Sequence, residues 1–271
     1  MMNSGMRMIQ NKNILKLKKR KVNNMELKIV ETSLNLRVER RLGKENKDYL
    51  LSKDVAEEQL KLNADVYCNV EYMECFDKKY MEAFETAGYT AYKALDSYNQ
   101  RGVMYMVKNE YQVKIVGMFE EPHMMHIQLI EDGTIFNIIT VRILVSGGND
   151  ADYQSRKEQW DKILNYIDRL ENKDNLCITG DFNHGVICEE YSEEEARRFY
   201  NYQMVVDTLG EKNISLADID GTSYKGYMKV DHLATTNDLK VIEAEYLDVF
   251  GEHKIIGLPD HSMIVATVER V

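Results

Sequence analysis

The residues with the clearest chemical potential lie in one short stretch, Leu176 to His184, where an apolar run ends at a glycine. Asp181 and Asn183 follow that glycine at alternate positions. The pattern predicts a buried strand that ends at Gly180 and presents both polar side chains on one face at the rim of a sheet. A carboxylate there can accept a proton or bind a cation, and an amide can donate to an oxyanion. On its own, the stretch is more typical of an ordinary turn rich in Asp and Asn.

Two later stretches place further acids beside apolar runs. Asp231 lies next to His232 ahead of one short run, and Asp260 and His261 come directly before another, from Met263 to Val268. Acids at the ends of three predicted strands, with histidines beside them, indicate one site assembled from distant loops. This agreement between separate stretches favours a functional site over an isolated turn.

The composition is typical of a globular domain with a substantial core. The chain has 271 residues, of which 44% are hydrophobic and 30% charged, and this suits a single domain of the α/β or two-sheet type. No apolar run approaches the ~20 residues needed to span a bilayer, and the basic N-terminus lacks the apolar segment of a secretory signal. The four cysteines form no C-x-x-C pair. We therefore expect reduced thiols and a cytoplasmic location. We also expect no membrane association, and the sequence implies no protein partner.

Charge is distributed unevenly along the chain. The net charge is −10, and residues 1–25 hold seven basic side chains and no acid, which leaves −17 for residues 26–271. An acidic body repels polyanions and argues against a protein that coats nucleic acid. An enzyme that meets phosphate through a divalent cation is not excluded, because the ion reverses the local field.

Residues 1–25 are polar and basic, and we predict a disordered tail. The tail could serve as a nucleic-acid arm, but we favour a mis-assigned start, with Met25 as the true first residue. The domain then spans residues 26–271.

Hydrophobic periodicity predicts the elements that must position these residues. Strands are expected at 26–36, 64–71, 89–94, 102–107, 111–118, 123–130, 134–145 and 176–180, then from Val230, at 241–249 and at 263–268; helices are expected at 48–62, 77–87, around Trp160 to Leu170 and at 193–209. Long runs of strands with helices between them predict an α+β fold. It is a four-layer sandwich, with two mostly antiparallel sheets packed face to face and helices on the outside.

The order and spacing of these motifs resemble those of the endonuclease/exonuclease/phosphatase family, which includes DNase I-like and exonuclease III-like phosphoesterases. The resemblance covers roughly residues 26–271. Its motifs are matched, in chain order, by Leu34-Asn35, Glu71, Arg156 with Gln159, Gly180 to Asn183, Asp231, and Asp260-His261. The first two matches are partial. Leu34 stands where the family motif has an aromatic residue, and only Glu71 remains of the family's Leu-Gln-Glu motif. A further departure is Arg142, which stands where many members carry a histidine.

The resemblance implies a role for each matched residue. Asn35, Glu71 and Asp260 would bind Mg²⁺, with Mn²⁺ as a substitute. Asp181 would orient or deprotonate the attacking water, and Asn183 would hold a phosphate oxygen. His261 would contact the phosphate with Asp231 behind it. Arg142 could clamp phosphate, but a guanidinium cannot act as a general acid near neutral pH.

The leading functional expectation is metal-dependent hydrolysis of phosphodiester bonds in nucleic acid. Two alternatives stay open, namely a phosphatase acting on a small phosphorylated molecule and a catalytically inactive binding module with the same fold. The motifs do not separate DNA from RNA or endo- from exonuclease action. We expect His123 and His126 to be ordinary residues, and His184 and His232 to be structural.

Overall fold

The computed structural model describes residues 25–34, 52–74, 77–98, 100–184, 199–250 and 259–271. The predicted tail before Met25 and the candidate ligand Asn35 lie outside these residues. The strands are β1 (Glu26–Ser33), β2 (Val66–Met73), β3 (Tyr89–Leu95), β4 (Arg101–Lys108), β5 (Gln112–Phe119), β6 (His123–Glu131), β7 (Thr134–Arg142), β8 (Leu176–Asp181), β9 (Ile214–Leu216), β10 (Asp231–Thr236), β11 (Leu239–Leu247) and β12 (Met263–Arg270). The helices are α1 (Ser52–Lys61), α2 (Lys78–Thr86), α3 (Asp150–Asp168) and α4 (Tyr202–Gly210).

These strands form two six-stranded sheets. The first sheet has the order β11-β12-β1-β2-β4-β3, and the second has the order β5-β6-β7-β8-β10-β9. Each contains one parallel pair, β1 with β2 and β7 with β8, and its other pairs are antiparallel. The predicted pair of mostly antiparallel sheets is therefore confirmed.

Three hydrophobic clusters produce the layers. One cluster joins the inner faces of the two sheets and includes Ile29, Tyr105, Ile138 and Leu233. The other two lie on the outer faces, where the second sheet packs against α3 and α4 and the first packs against α1 and α2. Because alternate side chains of a strand point to opposite faces, strands buried on both sides are rich in apolar residues at every position. The four-layer sandwich is confirmed.

The predicted helix at 193–209 is shorter at its N-terminal end. Helix α4 begins at Tyr202, because the side chain of Asn201 accepts a hydrogen bond from the backbone N–H of Met204 (2.9 Å) and so caps the helix. Phe199 and Tyr200 precede it in a bend, and residues 191–198 lie outside the described part of the chain. The short strand β9 was not predicted, since three residues carry too little periodicity to identify a strand.

Gly180 permits the close approach of β8 to β7 at the edge where the site forms. Its φ is +132°, and a Cβ added there would lie 2.0 Å from the carbonyl oxygen of Val141. Only glycine satisfies both conditions without strain. The strand continues through Asp181, one residue beyond its predicted end, and so holds that carboxylate in the sheet.

Candidate active site

A row of four polar side chains crosses the second sheet at one edge. Arg142 is in register with Asp181 on the parallel neighbour, and Asp181 is in register with Asp231 on the antiparallel neighbour. His123 continues the row beyond Arg142. Residues directly opposite one another on adjacent strands share a face, so strand pairing alone brings these four together. The sheet brings together three of the candidate site residues, Arg142, Asp181 and Asp231, and places beside them His123, which we had expected to be an ordinary residue.

Glu71 reaches the same edge from the first sheet by means of a β-bulge. The register of β2 against β4 shifts between Asn69 and Tyr72, and Glu71 has a φ of +52°. Bulges beside active sites commonly re-aim a side chain, and a glutamate in the left-handed region is an uncommon conformation. The result is an ion pair in which Nη2 of Arg142 donates to Oε1 of Glu71.

Arg142 lies between two carboxylates rather than facing open solvent. Its side chain is 12% exposed, and its Nε lies 3.9 Å from Oδ2 of Asp181. That Nε has no hydrogen-bond partner among the described residues. The guanidinium therefore lies between the Glu71 bulge and Asp181. Its Nε–H group stays on the side of Asp181, the candidate catalytic residue.

Asp231 and His261 form the other half of the site. Nδ1 of His261 lies 2.7 Å from Oδ2 of the fully buried Asp231. The backbone N–H groups of Val230 and Asp231 both donate to the hydroxyl of Ser223 (2.9 and 3.1 Å), which fixes the start of β10. Burial alone would lower the pKa of His261, but Asp231, assisted by Asp181 and Asp260, raises this pKa to about 10. His261 is therefore an imidazolium at neutral pH.

Asn183 is bound to its own loop. Its Nδ2 donates to Oδ2 of Asp181 (2.6 Å) and to the carbonyl oxygen of Ile143 (2.8 Å), and its backbone N–H donates to Oδ1 of Asp181 (3.1 Å). An amide nitrogen has two hydrogens, so both are already used. In this arrangement Asn183 orients Asp181. To contact a phosphate oxygen, as predicted, the Asn183 amide would have to give up one of its two Nδ2 hydrogen bonds.

Helix α3 supports this loop through the two residues that the Arg-x-x-Gln motif identified. Nη1 of Arg156 donates to the carbonyl oxygen of Asn183 (2.8 Å), while its Nε donates to Asp152 (3.0 Å). Gln159 exchanges two hydrogen bonds with the backbone of Leu144, just after β7. The helix thus fixes the loops that follow β7 and β8, on both sides of Asp181.

The electrostatic state of Asp181 follows from its burial. Asp181 is only 2% exposed. Burial, and then repulsion from Asp231, raises the pKa of the Asp181 carboxyl to about 7, although His261 and Arg142 lower this pKa. A carboxyl with this pKa is close to half-protonated at neutral pH. It is therefore suited to accept and return a proton.

A further buried acid, Glu31, was missed by the sequence analysis. It lies on the inner face of β1, in phase with Leu27 and Ile29, and is fully buried. Neither carboxylate oxygen has a hydrogen-bond partner within the described ranges. Burial and then repulsion from Asp231 raise the pKa of Glu31 well above its usual range. The signal that could have revealed it is an acid at a core-facing position of an alternating strand.

Three further histidines of the described residues, His126, His184 and His232, lie away from the row. Nε2 of His184 is 2.7 Å from Nε2 of His232, and Tyr202 stacks on His232 with 5.7 Å between ring centroids. His232 alternates with the row residue Asp231 along β10, so the pair lies on the outer face, as expected for structural residues. His126 contacts Tyr166 (2.8 Å), and burial lowers its pKa to about 4.

The chain was compared with known proteins. No family model matches it, and no curated protein matches it. An endonuclease/exonuclease/phosphatase from Bacteroides vulgatus is similar in structure, with 12% identity and a TM-score of 0.64 over 91% of this chain and 100% of that chain. The chain has the endonuclease/exonuclease/phosphatase fold. ANGEL2, a 2′,3′-cyclic phosphatase, shares this fold at 13% identity and a TM-score of 0.63, covering 92% of this chain and 97% of ANGEL2. D. rerio TDP2, in complex with a single-strand DNA product, matches at 14% identity and a TM-score of 0.63 over 90% of this chain and 99% of TDP2.

The divalent cation implied by the sequence resemblance fits the site by charge and donor type. Among the described residues at this edge of the endonuclease/exonuclease/phosphatase fold, acidic side chains outnumber cationic ones, so these residues alone would repel a phosphate. The acids are Glu71, Asp181, Asp231 and Asp260, and the cations are Arg142 and His261. Carboxylate oxygens are ligands that Mg²⁺ prefers, and Mg²⁺ keeps several waters. Within the described residues, no three acidic, His or Cys side chains form a ready-made cluster, and Asn35 lies outside them.

Proposed function

We propose that this protein hydrolyses phosphodiester bonds in nucleic acid with the help of a divalent cation. The observation that carries the proposal is the row Arg142, Asp181 and Asp231, with His261 held against Asp231 at 2.7 Å. It places the proton-accepting carboxyl of Asp181 between Arg142 and Asp231 at a sheet edge, with His261 paired to Asp231. The structures that share the fold include, by their names, the endonuclease domain of TRAS1 and a 2′,3′-cyclic phosphatase, and D. rerio TDP2 is bound to a single-strand DNA product; this supports phosphoester chemistry as the class of reaction.

Asp181 is the residue that we assign to the attacking water. As the water oxygen bonds to phosphorus, one of its protons passes to the Asp181 carboxylate, the bond from phosphorus to the leaving oxygen breaks, and the leaving oxygen takes a proton from solvent water. Asn183 holds both carboxylate oxygens of Asp181 in place during this transfer. A pKa of about 7 lets the same group accept the proton and release it afterwards.

His261 and Arg142 stabilise the negative charge that develops on the phosphate. The His261 imidazolium keeps Nδ1 on Asp231 and can direct Nε2–H to a phosphate oxygen, a preorganised arrangement that needs little rearrangement during the reaction. Arg142 is fixed beside Asp181 through Glu71 and can contribute Nε–H as a second donor. Glu71, with Asp260 and Asn35, would hold Mg²⁺ or Mn²⁺, which when bound neutralises phosphate charge.

A phosphatase acting on a small molecule is the second candidate. The acidic body of the chain, −17 for residues 26–271, favours a small or briefly bound substrate over a long polyanion. The likeness to a 2′,3′-cyclic phosphatase keeps this class open. A non-catalytic binding module is less consistent with a buried His261–Asp231 pair beside an acid whose pKa is near 7. No helix in the described part of the chain is long and apolar enough to cross a membrane, and cytoplasmic location stays a prediction.

The test is an activity panel with matched variants. Plasmid DNA, single-stranded DNA, RNA and bis(p-nitrophenyl) phosphate would each be incubated with Mg²⁺, with Mn²⁺ and with chelator. We expect cation-dependent cleavage that Asp181→Asn and His261→Ala each reduce at least ~100-fold, measured at a temperature at which both variants are folded, because His261→Ala leaves the buried Asp231 without its cation and should lower the melting temperature. Asp132→Asn is the matched control, because Asp132 lies in the β6–β7 turn, at the opposite end of the sheet, with a positive φ that asparagine tolerates. Near-full activity in either site variant would overturn the assignment.

A further inference from the structure

A short hairpin, Ser223 to Lys229, stands directly against the His261 side of the site. Backbone hydrogen bonds join Tyr224 and Met228 in both directions (3.0 and 2.9 Å), which leaves Lys225, Gly226 and Tyr227 at the tip. Lys225 and Gly226 have positive φ values, 51° and 67°, as a tight hairpin requires. We call residues 223–229 the site hairpin.

Hydrogen bonds and a ring contact fix the site hairpin beside Asp231 and His261, the two residues of the buried pair. The hydroxyl of Ser223 accepts from the backbone N–H of Asp231 (3.1 Å), and the carbonyl oxygen of Ser223 accepts from the backbone N–H of Ser262 (2.8 Å), next to His261. The ring of Tyr224 lies 4.4 Å from the His261 ring, centroid to centroid. The tip is therefore held at a fixed position relative to any phosphate that His261 contacts.

The composition of the hairpin differs from that of the rest of the body. Residues 221–230 contain Lys225 and Lys229 and no acid, in a segment of the chain that is otherwise strongly acidic. Lys225 is exposed and lies 4.6 Å from the centroid of the Tyr224 ring. Tyr227 at the tip is 45% exposed, and it is one of two tyrosines among the strongly exposed large side chains in the described ranges, with Tyr98. Exposed aromatic rings beside lysines form the pattern that binds unpaired bases and phosphates.

We propose that the site hairpin binds the nucleotide next to the scissile phosphate of a single-stranded nucleic acid, with the base stacked on Tyr227 and a phosphate near Lys225. The inference rests on the proposed function, because it names the substrate class of that site. A base inside a duplex is already stacked between its neighbours, so an unpaired base is far more available to stack on a side chain. The net charge of −17 on residues 26–271 also repels the two phosphate chains of a duplex more strongly than the one chain of a single strand.

Two measurements test the hairpin separately from the chemistry. The first is the binding of a fluorescein-labelled 12-nucleotide single-stranded DNA, followed by fluorescence anisotropy in chelator, where cleavage is not required. The second is kcat/KM with Mg²⁺ on the same oligonucleotide and on bis(p-nitrophenyl) phosphate, which has no base to stack. Tyr227→Ala should weaken binding and lower kcat/KM on the oligonucleotide by about 10- to 100-fold, and leave the small diester unchanged. Tyr227→Phe keeps the ring and should behave like the wild type.

Lys225→Ala should reduce the dependence of log Kd on log salt concentration by about 0.7, the value for one phosphate contact on a single strand. Lys114→Ala, on the exposed edge strand β5, is the matched control and should not change that slope. Equal losses on both substrates, wild-type behaviour of Tyr227→Ala, or tighter binding of a duplex than of the single strand would each overturn the proposal. If the wild type binds the oligonucleotide through Tyr227 yet cleaves neither substrate, the hairpin assignment stands and the proposed hydrolysis fails.

Discussion

Replacing Asp231 by asparagine should change the charge of His261 without removing its hydrogen-bond acceptor. In the wild type the histidine pKa is raised from 6.5 to about 10, with Asp231 the largest favourable contribution. Burial acts in the opposite direction, so without the carboxylate this pKa should fall to 6.5 or lower. A fall of about 3.5 pKa units corresponds to roughly 5 kcal/mol of differential stabilisation of the imidazolium. The remaining charges of Asp181 and Asp260 reduce this value somewhat.

The direct assay is an NMR titration of the His261 ring in chelator, assigned by comparison with His261→Ala. The wild-type ring should stay protonated through pH 8, whereas the ring in Asp231→Asn should titrate near or below pH 6.5. Asp260→Asn is the internal comparison and should produce a smaller fall, because Asp260 contributes least among the three acids. A ring in Asp231→Asn that stays protonated above pH 9, or a wild-type ring that titrates near 6.5, would refute the reasoning.

The same pKa has a consequence for stability. A histidine that binds its proton more tightly in the folded chain stabilises the fold fully below pH ~6.5, the unfolded pKa. That stabilisation is lost as the pH rises towards about 10. The pH dependence of urea unfolding between pH 7 and 10 should therefore be shallower in Asp231→Asn than in the wild type. Equal slopes in the two proteins would show that the pair does not contribute in this way.

Further predictions concern other parts of the structure. Gly180→Ala should destabilise the fold by about 3 kcal/mol or more in urea unfolding, because the added Cβ meets a backbone carbonyl and φ is positive; a smaller loss would show that β7 and β8 can separate locally. Arg142→Lys should lower kcat/KM by about 10- to 100-fold, because the lysine keeps the charge but loses one charge-assisted hydrogen bond of the guanidinium. Full activity would show that the planar guanidinium is not needed to contact Glu71 or phosphate. In chelator, wild-type unfolding free energy should fall between pH 5 and 8 more steeply than that of Glu31→Gln, because the buried Glu31 keeps its proton in the folded chain while the unfolded chain releases it above its ordinary pKa; parallel curves would contradict this. A chain that begins at Met25 should keep its melting temperature, since Met25 packs against the core between the sheets and its carbonyl accepts from Arg270, and a lower value would show that residues 1–24 contribute.

The sequence predicted the parts of the site that local spacing encodes. Gly180, Asp181 and Asn183 lie in one motif, and the adjacent Asp260 and His261 mark the second, so their placement at strand ends followed from periodicity. The pairing of His261 with Asp231 was also expected, and the two side chains are in contact. The positions of these residues at strand ends therefore follow from the local sequence, whereas their roles in the reaction stay predictions.

The rest depended on contacts between distant segments. His123 joins the row only because β6 pairs with β7 in one register, and a slip of one residue would turn it to the other face. The ion pair of Arg142 with Glu71 depends on a bulge in β2, which no short pattern in the sequence encodes. The use of both Asn183 hydrogens within its own loop likewise depends on the backbone path after β8.

The row of site residues across the second sheet can form only when several strands of that sheet have paired. Its members come from positions 123, 142, 181 and 231, and they meet only after β6, β7, β8 and β10 have paired side by side. The parallel pairing of β7 with β8 needs the crossover through α3, a contact between distant segments that forms slowly. No single hairpin or fragment can therefore assemble the site. Loss of activity on denaturation should coincide with global unfolding, and amide protons of β7 and β8 should be among the last to exchange.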